Sequence, residues 1–156
     1  TKLLPGPSAA GTPRPATLTD NDSGRFEDRW TDLKIEDSTC LWTKGLAGNV
    51  VAFPCAHAEG KFLCASDAIL DAVEADRQVV FRYVNADGSE ADYPACPNGS
   101  PRNVAGVCNR AGNVLGLMPH PERHVDGTQF KAWTRSGAKD DGDGLALFRN
   151  AVDFVR

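Results

Sequence analysis

Apolar and polar residues alternate most clearly over 31–36, where Thr31, Leu33 and Ile35 are interleaved with Asp32, Lys34 and Glu36. A period of two marks a strand with one buried face. Val79–Val84 (VVFRYV) is β-branched and aromatic and reads as a second strand, ended by the turn residues Asn85-Ala86-Asp87-Gly88. Shorter strands are predicted at Thr39–Trp42 and Val50–Phe53, set apart by Lys44-Gly45 and Gly48-Asn49 turns. Asn103–Cys108 and Asn113–Met118 form a predicted hairpin around Asn109-Arg110-Ala111-Gly112.

Two segments switch to helical spacing. Ser66 is placed to cap a helix running to about Ala75, with Ile69, Leu70 and Val73 on one face. A last helix begins near Asp143 and carries Leu145, Phe148, Val152 and Val155. Residues 1–24 are predicted irregular, because Pro5, Pro7, Pro13 and Pro15 interrupt them and Asp20-Asn21-Asp22-Ser23-Gly24 favours a turn. Pro94–Pro101 is a predicted loop. With strands outnumbering helices and several suited to antiparallel pairing, the pattern is that of an α/β or α+β chain.

The chain has 156 residues, enough for one domain with a substantial core. Its 17 Lys and Arg against 21 Asp and Glu leave a net charge of −4, which argues against a nucleic-acid or anionic-membrane surface. No apolar run has the length of a membrane span, and no basic, then apolar, leader opens the sequence. The five cysteines (Cys40, Cys55, Cys64, Cys96, Cys108) are odd in number and contain no C-x-x-C, so reduced thiols are expected rather than a disulfide framework or a zinc site.

The stretch with the most chemistry is Gly116–His124 (GLMPHPERH). A predicted strand ends there in a loop stiffened by Pro119 and Pro121, and the carboxyl ends of strands are where α/β sheets place their sites. His120 and Glu122 lie two residues apart on that stiff backbone. A carboxylate beside an imidazole fixes its tautomer and stabilises the imidazolium, the second half of a nucleophile–His–acid relay. The competing interpretation is a solvated surface turn. A second His-x-Glu, His57 and Glu59, follows the strand at Val50–Phe53 and has the same two interpretations. A metal site built from His57, His120, His124 and carboxylates has no support in the spacing. Gly106-Val107-Cys108-Asn109 has the start of a nucleophile elbow, but it leads into another strand instead of a helix, so Cys108 is expected to be a small core residue.

Taken together, these segments resemble a known family. Gly116–His124 resembles the His-Glu signature of class I glutamine amidotransferases, and most of all the glutaminase subunit of phosphoribosylformylglycinamidine synthase. Asn21–Trp30 (NDSGRFEDRW), Pro54–Phe62 (PCAHAEGKF), Tyr93–Ser100 (YPACPNGS) and the hairpin at Asn103–Gly112 resemble that subunit's motifs in the same order, and Thr1–Gly6 (TKLLPG) resembles the end of one of its helices. The resemblance implies a flavodoxin-like α/β fold, of which residues 1–156 would be the C-terminal portion of one glutaminase domain, with a mixed sheet and β-hairpins.

It also implies an activity. A cysteine thiolate attacks the glutamine side-chain amide, ammonia leaves, and the thioester is hydrolysed. By motif match His120 is the general base and acid, and Glu122 orients it. The ammonia would pass to a synthetase subunit, assisted by a small accessory subunit. There, ATP and Mg²⁺ drive conversion of formylglycinamide ribonucleotide to the amidine in cytoplasmic purine synthesis. No cofactor is expected on this chain.

The family's nucleophile elbow precedes the helix that ends in Leu-Leu-Pro-Gly, so its cysteine would lie upstream of Thr1, and none of the five cysteines matches it. The chain alone is therefore expected to be inactive. Ala95 and Cys96 depart from the family's loop, and Asn21, Phe26, His57 and Glu59 match motifs to which spacing assigns no role. The alternatives are a non-catalytic partner-binding domain of the same fold and a metal-dependent hydrolase.

Overall fold

The computed structural model describes residues 4–6 and 14–156. Seven strands are present among them: β1 (Ala16–Thr19), β2 (Glu27–Ile35), β3 (Val50–His57), β4 (Lys61–Cys64), β5 (Val79–Val84), β6 (Val104–Cys108) and β7 (Leu115–Leu117). The helices are α1 (Asp67–Ala75), the short α2 (Trp133–Ser136) and α3 (Leu145–Val155). Five strands form one sheet in the order β3-β2-β5-β6-β7, and β1 and β4 form a separate ribbon. All these pairings are antiparallel. The expected α/β fold with β-hairpins is observed, but where a mixed sheet was expected every ladder among the described residues is antiparallel, because neighbouring strands here are joined without parallel crossovers.

Alternation explains the centre of the sheet. Leu33 and Ile35 of β2, Phe53 of β3 and Phe81 and Tyr83 of β5 are almost wholly buried, and Leu147 of α3 closes the cluster. The other apolar cluster joins Leu70 and Val73 of α1 to Val79, Val104 and Val107. β5 thus feeds both clusters, which explains why its sequence is almost continuously apolar. Each large side chain so buried contributes about 1.5–3 kcal/mol. α1 begins where its cap predicts: the Ser66 hydroxyl accepts from the Ile69 amide, and Asp67 sits in the positive first turn.

Two expectations about single elements are also corrected. Thr39–Trp42 is not a strand, because Leu41–Thr43 forms a 3₁₀ turn. Its backbone has no sheet partner; the Thr43 and Lys44 amides bond back to Cys40 and Leu41, and Leu41 N donates to Gly112 O at 2.9 Å. Its apolar residues instead meet α3, with Trp42 edge-on to Phe148 at 6.4 Å. Within the stretch predicted irregular, Ala16–Thr19 is a strand, held by β4 with Leu18 opposite Phe62. Residues 1–3 and 7–13 of that stretch, including the first half of the TKLLPG segment, lie outside the described residues.

β3 is an edge strand, and it runs past its predicted end through Pro54 to His57. Proline is tolerated in an edge strand because its missing N–H costs no ladder bond on the free side. The outer side of β3 is covered by chain from beyond β7. Ala52 N donates to Asp143 Oδ2 at 3.0 Å, Ala52 O accepts from His124 Nδ1 at 2.8 Å, and Pro54 O accepts from His120 N at 2.8 Å.

Candidate active site

β7 delivers the chain into Met118-Pro119-His120, and Pro121 opens a 3₁₀ turn over Pro121–Arg123. His120 is extended (φ −103°, ψ 92°), and its amide is tied to β3 through Pro54 O. From there Nδ1 reaches Glu122 Oε1 at 2.7 Å. The carboxylate accepts, so Nδ1 carries the proton and Nε2 keeps its lone pair. The His120 side chain is 31% exposed and that of Glu122 55%. The imidazole thus stands at the surface, oriented by a carboxylate and open to a reacting group on the Nε2 side.

Behind it, β3 ends at His57, which is buried. Asn21 governs this residue. Its amide nitrogen donates to the carbonyls of Arg25 and His57, each at 2.8 Å. Its oxygen accepts from Gly60 N at 3.0 Å, and His57 Nδ1 lies 3.0 Å from the same oxygen. Both amide hydrogens are committed to carbonyls, so the oxygen can only accept and His57 Nδ1 must donate. Flipping the amide would oppose oxygen to two carbonyls and NH₂ to an N–H. His57 is therefore the neutral Nδ1–H tautomer, and its buried Nε2 has no partner among the described residues. Burial pulls its pKa below the ordinary 6.5, and nearby His120 adds to this against the opposing pull of Glu27.

Glu27 faces His57 across the β2–β3 ladder and is almost wholly buried. Its carboxylate accepts from the Ser23 hydroxyl at 2.6 Å and pairs with Arg29, whose guanidinium lies over the Tyr93 ring at 5.3 Å. The loop Tyr93–Ser100 is fixed from inside by Asn98, which donates to Gly60 O at 2.8 Å and Tyr83 Oη at 3.0 Å and accepts from Ser100. Three of the motif segments in the sequence thus form one buried polar network behind His120.

His124 does not join His120. It packs edge-on to Trp30 at 5.2 Å and stacks on Phe130 at 5.7 Å while bonding Ala52 O. Its role is to cover β3. Glu59 is exposed, apart from the Asn21–His57 pair. Cys108 is buried at the end of β6, where a core residue was expected. Asn21 and Glu27 were missed as organisers, because their partners lie across the fold and leave no spacing signal.

The family model for the CobB/CobQ-like glutamine amidotransferase domain matches residues 1–155. The chain belongs to that family. Two of its relatives are phosphoribosylformylglycinamidine synthase PurQ subunits. The one from Dehalococcoides mccartyi is 42% identical, the match covering 100% of this chain and 58% of the relative. The one from Archaeoglobus fulgidus is 47% identical over 86% of this chain and 49% of its own length. A solved structure of PurLQS from Thermotoga maritima superposes with a TM-score of 0.65 at 32% identity, covering 90% of this chain and 53% of that one. This amidotransferase chain therefore spans about half the length of the relatives it matches. None of its helices among the described residues is long and apolar enough to cross a membrane.

Proposed function

We propose that this chain is the C-terminal part of a glutaminase domain that supplies ammonia to phosphoribosylformylglycinamidine synthase. The observation that carries the reading is the His120–Glu122 pair at 2.7 Å, on a motif matched within a glutamine amidotransferase family. Glu122 holds the Nδ1–H tautomer, which leaves His120 Nε2 to accept the thiol proton of a cysteine supplied by sequence upstream of Thr1. As imidazolium, His120 then returns that proton to the departing nitrogen, releasing ammonia and leaving a glutamyl thioester. In hydrolysis His120 takes a proton from the attacking water. Glu122 balances the imidazolium in both steps.

The substrate is glutamine, and the ammonia goes to a synthetase subunit with its small accessory subunit. The PurQ relatives and the PurLQS structure support that partnership. The five free cysteines support a reducing, cytoplasmic setting.

The deciding experiment reconstitutes the full-length glutaminase with its synthetase. His120→Ala should abolish amidine formation from glutamine while leaving formation from added ammonium salt intact. Undiminished glutamine-dependent activity would refute the assignment. The 156-residue chain alone should release no ammonia from glutamine.

A further inference from the structure

A cavity of about 410 Å³ lies between the outward face of β2–β3 and the chain that covers it, with apolar walls from Val50, Val51, Ala86 and Phe130. Its outer wall is fixed. Asp126 and Asp141 form an antiparallel bridge, Gly142 N donates to Val125 O at 3.1 Å, and Gly144 N donates to His124 O at 2.8 Å. The polar side chains that line it are His124, Asp32, Asp143, Lys139 and Ser136. Three of these are engaged: Asp143 Oδ2 accepts from Ala52 N, Asp143 Oδ1 accepts from Lys139 Nζ at 3.1 Å, and the Ser136 hydroxyl turns back onto Ala132 O at 3.0 Å. His124 and Asp32 are not. The His124 side chain is only 3% exposed. Its Nδ1–H is spent on Ala52 O, Trp30 and Phe130 cover the ring, and a Cβ on Gly142 would fall 2.8 Å from its Cδ2. Nε2 therefore carries a lone pair with no partner among the described residues, and unlike His57 Nε2 it is not sealed from solvent. Asp32 stands on the polar face of β2 opposite Ala52 and Val84, neither of which can pair with it. The two open acceptors thus flank Ala52, one across the ladder and the other on its carbonyl.

We propose that this cavity binds a small organic cation, an amidinium or ammonium group carried on a flat apolar body. One N–H donates to His124 Nε2, another donates to the Asp32 carboxylate, and the apolar body packs against Phe130, Val50 and Val51. A buried acceptor without a partner is costly, so a ligand that supplies the missing donor is favoured over one that only fills space. The carboxylate then selects charge: a charge-assisted hydrogen bond to Asp32 favours a cation over a neutral molecule of the same shape, and an anion is repelled. The one lysine on the wall is already paired with Asp143 and leaves the Asp32 charge unbalanced. An enclosed, mainly apolar space with a few convergent polar groups is the usual form of a small-molecule site. This site stands apart from the glutaminase reading and is tested by binding alone.

The test titrates the ¹⁵N-labelled protein with benzamidine and follows its amide NMR signals at constant pH and salt. The expected result is one saturable set of shifts centred on Val51, Ala52, His124 and Phe130. Benzyl alcohol and benzoate at the same concentrations should give no saturable shift. Asp32→Asn keeps the side-chain shape on a strand face where no partner is lost, and it should weaken benzamidine about tenfold. Asp153→Asn, on the exposed side of α3, should leave the affinity unchanged. Shifts that do not saturate or that centre elsewhere, equal binding of benzyl alcohol, or undiminished affinity in Asp32→Asn would overturn the proposal.

Discussion

Asn21→Ala is the most informative single perturbation of this fold. The amide connects the Asp20–Gly24 turn, the end of β3 and the Gly60 turn through side-chain bonds to Arg25 O, His57 O, Gly60 N and His57 Nδ1. Three of these four bonds are buried, and a buried group left unpaired costs about 1–3 kcal/mol. Full loss would thus come to roughly 3–9 kcal/mol. One water in the vacated space makes about three hydrogen bonds. That recovery places the expected loss at the low end, about 3 kcal/mol. Urea denaturation measures it: with a slope of about 2 kcal/mol per molar, the midpoint should fall by roughly 1.5 M with the slope unchanged. Asn21→Asp is the orientation control. It is isosteric but places an acceptor against the Arg25 and His57 carbonyls, so it should cost at least as much as alanine. A loss below about 1 kcal/mol for alanine, or a neutral aspartate, would refute the inferred wiring and with it the His57 tautomer.

Because the folded pKa of His57 lies below its ordinary 6.5, the unfolded chain binds the proton more readily. The stability from keeping His57 neutral is fully present above that value and is lost as pH falls through it; urea midpoints from pH 8 to 5 should show this, and His57→Gln should flatten the slope. Glu122→Gln in the full-length glutaminase should lower kcat with glutamine by roughly 10²–10⁴-fold while sparing the ammonia-dependent reaction. His124→Ala leaves Ala52 O unpaired and removes the ring between Trp30 and Phe130, so thermal denaturation should show a loss of about 2–4 kcal/mol. Gly60→Ala should unfold at lower urea, since a Cβ there would collide with the His57 ring.

Local rules recovered what local physics decides. Val79–Val84 and the Ser66 cap stand where period and capping place them, because β-branched packing and a side-chain cap act within a few residues. The predicted strand at Thr39–Trp42 failed because its apolar residues face α3 instead of a neighbouring strand, a distinction alternation does not carry. β1 was invisible because its partner lies more than forty residues away. At the site, the stiff His120–Glu122 presentation was legible, since the prolines fix it locally. The Asn21 hub was not: an asparagine in a turn is ordinary, and its importance comes from His57 and Gly60 arriving from elsewhere.

The covering of β3 makes one stretch of chain serve two ends. His120, His124 and Asp143 all bond to the free side of the same edge strand, and one of them is the candidate base. An unguarded edge recruits strands from other molecules. A lesion that loosens this stretch would therefore misplace the imidazole and expose a template for self-association at once. Inactive variants found along it should be screened for solubility first, because lost chemistry and lost monomer would have the same origin.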